Sequence, residues 1–476
     1  MSMQAWRGGA FVRGAGRTAD TGRLWSYALI LLTGIGVALR GPVLAVLAIS
    51  AVLGVLAMRR LPGWAWATGA LVLTVLTPAL NRVGIVPDIV TFLHFAFVYA
   101  GLGAVLLRHP LWASRDAQRL TVALVGLMMA ACLSAVLHRT EALRPLVTVS
   151  IWAEPFVLIL LLILEPPARR DRRRLLFVFG ALLVIQLPIA VVQLGTSGVG
   201  DAVKGTLSGP HDLGGFTVLS GLALLAWGQD RGPGVGLACT VAALPLLFLV
   251  PAVADAKQII LSLPAAALVL LLTTRRLTRK IMIAGACTGA VVLLLIAVPA
   301  GRTAAGFLGG ARSGKFAKGA GTEVAVQQMR AEWTNIVFGL GPANGLSRAA
   351  FLTADQHALR SSAPLARFRL KPAELPAQGE AQAEAVAQGT SFNSSIASAT
   401  GIFTDVGLIG ACAYVWVLAA AVAPLVRRRS NWLARVALAG WGLSIPLALT
   451  SQWWEVPDFM IPLALLTGIA ATEGES

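Results

Sequence analysis

The chain has 476 residues, of which 57% are hydrophobic and only 13% charged, with a mean hydropathy of +0.75 and a formal charge of +17. This composition excludes an ordinary soluble domain, and apolar runs of helix length recur along the whole chain. A segment in lipid must satisfy its own backbone hydrogen bonds, and these runs are too long and too continuously apolar for barrel strands. The expected fold class is all-α, a polytopic transmembrane helix bundle.

The first 23 residues carry Arg7, Arg13, Arg17 and Arg23 without a small-residue cleavage site behind a short apolar core, which predicts a retained cytoplasmic tail. Spans are expected near 24–39, 43–58, 64–80, 89–107, 120–137, 146–164, 175–194, 212–227, 234–253, 257–273, 281–299, 401–425, 434–450 and 458–472. The first two and the last are short for a bilayer core of about 30 Å, so the expected count is about 12–14 helices. Residues 24–299 and 401–472 then form the membrane bundle, 300–400 one long loop, and 473–476 a short tail. With the N-terminus in the cytoplasm, Arg59 and Arg60, the Arg108 to Arg119 loop, Arg169 to Arg174, Arg275 to Lys280 and Arg427 to Arg429 share one side. Outside the long loop, 23 Lys and Arg lie on that side and 6 on the other. The positive-inside rule accounts for the charge with no nucleic-acid partner, and predicts a multi-pass protein of the cytoplasmic membrane whose long loop is extracytoplasmic. Cys132, Cys239, Cys287 and Cys412 all fall in expected spans. They read as small buried apolar residues, with no disulfide framework and no metal spacing.

Before the eighth span the ionisable residues inside helices are His94 and Glu154, and an intramembrane charge is a functional candidate by default. Glu154 precedes Pro155, which predicts a kink; its role is either a polar interhelical contact or substrate or proton handling. The run Arg169 to Arg174 reads as a topology determinant touching anionic headgroups. The stretch Gly205 to Gly215 contains His211-Asp212, either an acid/base pair or, for Asp212, a helix N-cap. Lys257 stands before an apolar helix, where it either snorkels to the interface or holds an anionic headgroup.

Within 300–400, Arg312, Lys315 and Lys318 lie in a Gly-rich basic arm. Thr322 to Val337 has helical periodicity, with Val326, Met329, Trp333 and Ile336 on one face and Gln327, Arg330 and Thr334 on the other, so an amphipathic helix is expected. The following Gly339-Leu340-Gly341-Pro342-Ala343-Asn344-Gly345 is a tight loop whose glycines let backbone amides approach an anion. Lys371 to Thr390 is a low-complexity tract. Ten Lys and Arg against six Asp and Glu give the whole segment a modest positive bias, suited to an anionic substrate.

Three of these features together carry a resemblance. Gly339-Leu340-Gly341-Pro342-Ala343-Asn344 resembles the G-V-G-P-x-N element of the O-antigen ligase and polysaccharide polymerase superfamily. Phe392-Asn393-Ser394-Ser395 followed by Asp405-Val406-Gly407-Leu408-Ile409-Gly410 resembles its H-N-x-x-L and E-x-G-L-I-G signature. The Gly205 to Gly215 loop is similar to an upstream G-T element, and Lys257 stands where the family has Ser-Arg. Two positions depart: the family histidine is Phe392 and a family arginine is Lys257, while Arg330 and Arg312 both compete for a second family arginine.

The resemblance implies a metal-independent membrane glycosyltransferase without a cofactor, which moves a glycan from a polyprenyl pyrophosphate carrier to an acceptor glycan or lipid among the membrane lipids. Lys257 and Arg330 are then the expected pyrophosphate clamps, with Arg312 in support. Gly339, Gly341, Asn344 and Asn393 are expected to shape the acceptor site. With histidine lost at 392, the base falls to His211, His357 or Asp405. The alternative expectations are a flippase or transporter for lipid-linked glycans, and a catalytically inactive assembly partner.

Overall fold

The computed structural model describes residues 60–86, 88–112, 114–140, 143–200, 202–274, 326–353 and 397–473, and every regular element among them is helical. In chain order these are α1 (Gly63–Arg82), a 3-10 turn (Asp88–Phe92) entering α2 (Leu93–Leu106), α3 (Arg115–Leu137), α4 (Leu143–Leu164), α5 (Arg169–Ser197) and α6 (Pro210–Gln229). Next, α7 (Pro233–Leu244) runs through a π-helical turn (Pro245–Leu249) into α8 (Val250–Val253), followed by α9 (Lys257–Thr273). The short α10 (Trp333–Phe338) and α11 (Arg348–Thr353) precede α12 (Ser398–Arg427), α13 (Trp432–Thr450), a 3-10 turn (Trp453–Glu455) and α14 (Pro457–Thr472).

Eleven of the expected spans coincide with these helices, and 24–39, 43–58 and 281–299 lie outside the described residues. Among the described residues seven helices are long and apolar enough to cross a membrane, and three shorter apolar ones accompany them. Local chemistry sets several starts: Ser114 accepts from the Ala117 amide at 3.1 Å to cap α3, Asn431 accepts from Leu433 at 2.9 Å to cap α13, and proline opens α6, α7 and α14.

Burial sorts the helices. About four-fifths of the apolar window of α4 and α13 is buried (78% each), against 28% in α5 and 33% in α12, and α14 is buried along nearly its whole length. A helix apolar all round belongs in the centre and a helix with one buried face belongs at the rim, so α4, α13 and α14 form the core. Close approach is set by small residues: a Cβ on Gly468 of α14 would lie 2.6 Å from Leu162 of α4. Aromatic rings fill the same centre, with Phe156 stacked on Trp441 at 5.9 Å and Tyr414 on Trp454 at 5.3 Å.

The two ends of the bundle differ in chemistry. At one end Arg108 pairs with Glu165 (2.6 Å), Arg427 with Asp116 (2.5 Å) and Arg435 with Asp230 (2.6 Å), and Asn431 bonds Glu473. At the other end lie the 202–209 loop, the 339–350 segment and the turn between α13 and α14, all held to the helices by hydrogen bonds.

Two sequence expectations change. Cys239 is buried, but Cys132 and Cys412 are exposed on the outer sides of α3 and α12, because each sits on the face of a rim helix turned away from the core; Cys287 lies outside the described residues. α4 runs as one helix with Pro155 inside it. The expected amphipathic helix is interrupted: residues 326–331 are helical, Glu332 is extended (φ −140°, ψ 142°), and α10 starts afresh at Trp333. Met329 is buried while Trp333 is 71% exposed, so the two pieces do not share one apolar face; Thr322 lies outside the described residues.

Candidate functional site

Two of the stretches that carry the resemblance, residues 339–345 and 405–410, form one structural unit, while Phe392 to Ser395 lie outside the described residues. α12 is broken at Gly407 (φ 64°, ψ −163°), a backbone region open essentially to glycine alone. The break lets the 337–340 backbone lie directly against it: a Cβ on Gly407 would be 2.4 Å from the Gly339 nitrogen, and a Cβ on Gly339 2.4 Å from the Asp405 carbonyl. Leu340 N–H donates to the Thr404 carbonyl at 2.7 Å, which satisfies a group that a continuous helix would have paired. The loop amides do approach a carboxyl group, but it is the protein's own. Asp405 accepts from Ala343 N–H (2.8 Å), Gly345 N–H (2.9 Å) and the Ser347 hydroxyl (2.6 Å).

The loop is also tied to α3 and α4. Asn344 donates to the Leu340 carbonyl (3.1 Å) and Thr140 (3.2 Å) and accepts from Arg144 (2.6 Å). His138, at the end of α3, bonds the Gly339 backbone; burial lowers its pKa, opposed by the nearby Glu332 carboxylate.

This clamp fixes the start of α11, and with it Arg348. Its backbone N–H donates to one Glu455 carboxyl oxygen at 3.1 Å, and its guanidinium to the Glu455 carbonyl at 2.7 Å. The other carboxyl oxygen of Glu455 accepts from the Trp152 indole at 2.7 Å. Burial pushes the Glu455 carboxyl up to about 7, against the pull of the Trp152 and Arg348 N–H groups.

Beside Arg348 and Glu455 is a cavity of about 70 Å³, whose polar lining includes Thr74, His94, Ser208 and Asp458. His94 is only 3% exposed, and its Nδ1 lies 2.5 Å from the Glu154 carboxylate, joining the two intramembrane ionisable residues of the first spans. An ionised Glu154 places the ring proton on Nδ1 and leaves Nε2 as the basic nitrogen. Asp458 accepts from Ser208 N–H at 3.0 Å and is hydrogen-bonded to Asp212, a contact that requires one proton between the two carboxyl groups. Ser208 is placed by the preceding loop: Gln193 accepts from Lys204 and Gly205 N–H (2.9 and 2.8 Å), Gln186 from Thr206 N–H (2.7 Å), and Arg82 donates to the Gly205 carbonyl (2.8 Å).

The sequence candidates therefore separate. Asp405, Gly339, Gly341 and Asn344 come together, but as the clamp; Asp405 is fully buried with both oxygens engaged, which makes it a positioning group. Lys257 sits at the first position of α9, ion-paired with Asp255 at 2.8 Å and away from the cavity lining. Arg330 is exposed on 326–331. His211 is half-buried in the first turn of α6, and Asp212 does not cap that helix: Gly209 is the N-cap, and the Asp212 carboxyl reaches back to its amide. Arg312, His357 and Asn393 lie outside the described residues. Sequence reasoning missed Arg348, Glu455 and Asp458. Their signal was position, each being an ionisable residue in the outer connections and within a few residues of a motif or a span.

Composition and fold define a helical membrane protein. No protein-family model matches the chain, and no curated protein matches it, so the particular activity rests on the chemistry of the cavity.

Proposed function

We propose that the chain is a membrane glycan transferase of ligase or polymerase type. It joins a glycan carried on polyprenyl pyrophosphate to an acceptor sugar or lipid at the extracytoplasmic face of the cytoplasmic membrane. The observation that carries this reading is that a carboxylate-oriented histidine, His94 with Glu154, and a half-buried arginine, Arg348, line one cavity beside the joined 339–345 and 405–410 stretches. Glycosyl transfer from a pyrophosphate needs these two functions: a base for the acceptor hydroxyl and a cation near the departing diphosphate. His94 Nε2 takes the proton as the acceptor oxygen bonds the anomeric carbon, and the carbon–oxygen bond to the pyrophosphate breaks with its electron pair leaving toward Arg348. His94 thus supplies what Phe392 cannot. A cavity of about 70 Å³ admits a hydroxyl group and its neighbours but not a whole sugar, so most of the substrate lies outside it.

The test is transfer of carrier-linked glycan by purified protein in vesicles. His94→Gln and Arg348→Gln are each expected to lower the rate by about 10²-fold or more, the usual contribution of a positioned base or charge. Wild-type rates in both variants would sink the assignment.

One observation favours a second reading. Two hydrogen-bonded ionisable pairs, His94–Glu154 and Asp212–Asp458, resemble the relays of proton-coupled transporters, which suits a flippase for the same carrier. Removing the protein from its host separates the two: carrier-linked units stranded on the outer leaflet support transfer, and units stranded on the inner leaflet support transport.

A further inference from the structure

We propose that the N-terminal end of α5 is a binding site for an anionic phospholipid, with the phosphate held by Arg170, Arg173 and Arg174 and an acyl chain lying along Phe177, Val184 and Val191. The run Arg169-Arg170-Asp171-Arg172-Arg173-Arg174 carries five arginines and one acid. Arg169, Arg170, Arg173, Arg174 and Phe177 line an open concavity of about 640 Å³. Asp171 pairs with Arg174 at 3.1 Å, and with five arginines against one acid the run keeps a net positive charge. Ala168 offers no side chain to the first turn of α5, so the helix end adds uncapped N–H groups and the positive end of its dipole. Guanidinium forks match phosphate oxygens two at a time.

What makes this a lipid site and not one for free phosphate is the strip beneath the arginines. Positions 170, 177, 184 and 191 repeat every seven residues and fall on one face of the helix. Phe177 is 75% exposed, and Val184 and Val191 66% each, so the charged concavity runs directly into an apolar face turned away from the core. The Arg174 guanidinium lies 5.7 Å above the Trp64 ring, and tryptophan at the end of a span marks the headgroup level. Charge above and hydrocarbon below is the profile of an anionic phospholipid at an interface.

The experiment is lipid binding by the full-length protein, followed by native mass spectrometry and by thermal unfolding in nanodiscs of phosphatidylcholine with or without phosphatidylglycerol. Wild type is expected to retain one tightly bound phosphatidylglycerol and to be stabilised by it. The Arg170→Gln/Arg173→Gln/Arg174→Gln variant is expected to lose on the order of tenfold or more in affinity. Because arginine loss at this end could also disturb insertion, a second variant keeps the charge: Arg170→Lys/Arg173→Lys/Arg174→Lys is expected to insert normally and still bind severalfold more weakly. Arg428→Gln/Arg429→Gln removes charge from the same end of the bundle and is expected to leave binding unchanged. Equal weakening by that control, equal retention of phosphatidylcholine, displacement of the lipid by millimolar inorganic phosphate, or undiminished binding by both α5 variants would each overturn the proposal.

Discussion

His94 and Glu154 lie 60 positions apart, yet their side chains meet at 2.5 Å inside the bundle. A neutral amide at 154 can still accept from Nδ1, but it cannot stabilise the imidazolium that forms as the acceptor proton arrives. Glu154→Gln is therefore expected to lower the rate of transfer by about 10²-fold while the KM for carrier-linked glycan stays within about threefold. A fall in stability without that split between rate and KM would mark the pair as structural. Gly407 sits at the opposite extreme, a residue whose missing side chain is its role. Gly407→Ala imposes a backbone penalty of about 1–3 kcal/mol and drives a methyl group to 2.4 Å from the Gly339 nitrogen. Thermal unfolding in detergent is expected to show a loss of at least that size. Gly103→Ala, where nothing lies within 4 Å, is expected to be neutral or slightly stabilising.

At the scale of elements, the turn between α13 and α14 joins α4 and α11 through one carboxyl group, Glu455, bonded to Trp152 and Arg348. Its pKa is raised by burial to about 7 from an ordinary 4.5, so the fold favours the neutral acid. The stability it contributes is fully present below about pH 4.5 and is lost as pH rises through about 7. Thermal unfolding of the wild type is expected to fall between pH 5 and 8 relative to Glu455→Gln, and a difference that is flat across that window would refute the assignment. The helices themselves were legible, because a long apolar run in lipid has no other way to satisfy its backbone. The break in α12 was not, since Gly407 in an apolar run reads as a tolerated helical glycine until the 337–340 backbone is seen to occupy its place. The break at Glu332 was hidden in the same way by side-chain periodicity. In the site, His94 and Glu154 stood out as ionisable residues in apolar spans, whereas Arg348 and Glu455 pair across 107 positions, and nothing in local spacing encodes that meeting.

Across the whole molecule the charges separate the two ends, and the proposed chemistry is consistent with only one orientation. Arg108, Arg427 and Arg435 mark one end through their ion pairs, while the cavity, the Asp405 clamp and the exposed Arg330 belong to the other. The proposed transfer requires the arginine end to face the cytoplasm, as the positive-inside rule leads one to expect, because a carrier-linked glycan already moved outward could not reach a base there. Single cysteines in a Cys287→Ala background report this directly, because the native thiols among the described residues give little signal: Cys239 is buried, and Cys132 and Cys412 are exposed only on faces of α3 and α12 that a membrane would cover. Arg330→Cys and Ser197→Cys, both exposed at the cavity end, are expected to react with a membrane-impermeant maleimide in cells or spheroplasts with intact cytoplasmic membranes. Arg231→Cys and Arg429→Cys, both exposed at the arginine end, are expected to react only after permeabilisation. The reverse pattern would put His94 and Arg348 on the cytoplasmic side, and an extracytoplasmic transferase would then be untenable whatever the two residues contribute to binding.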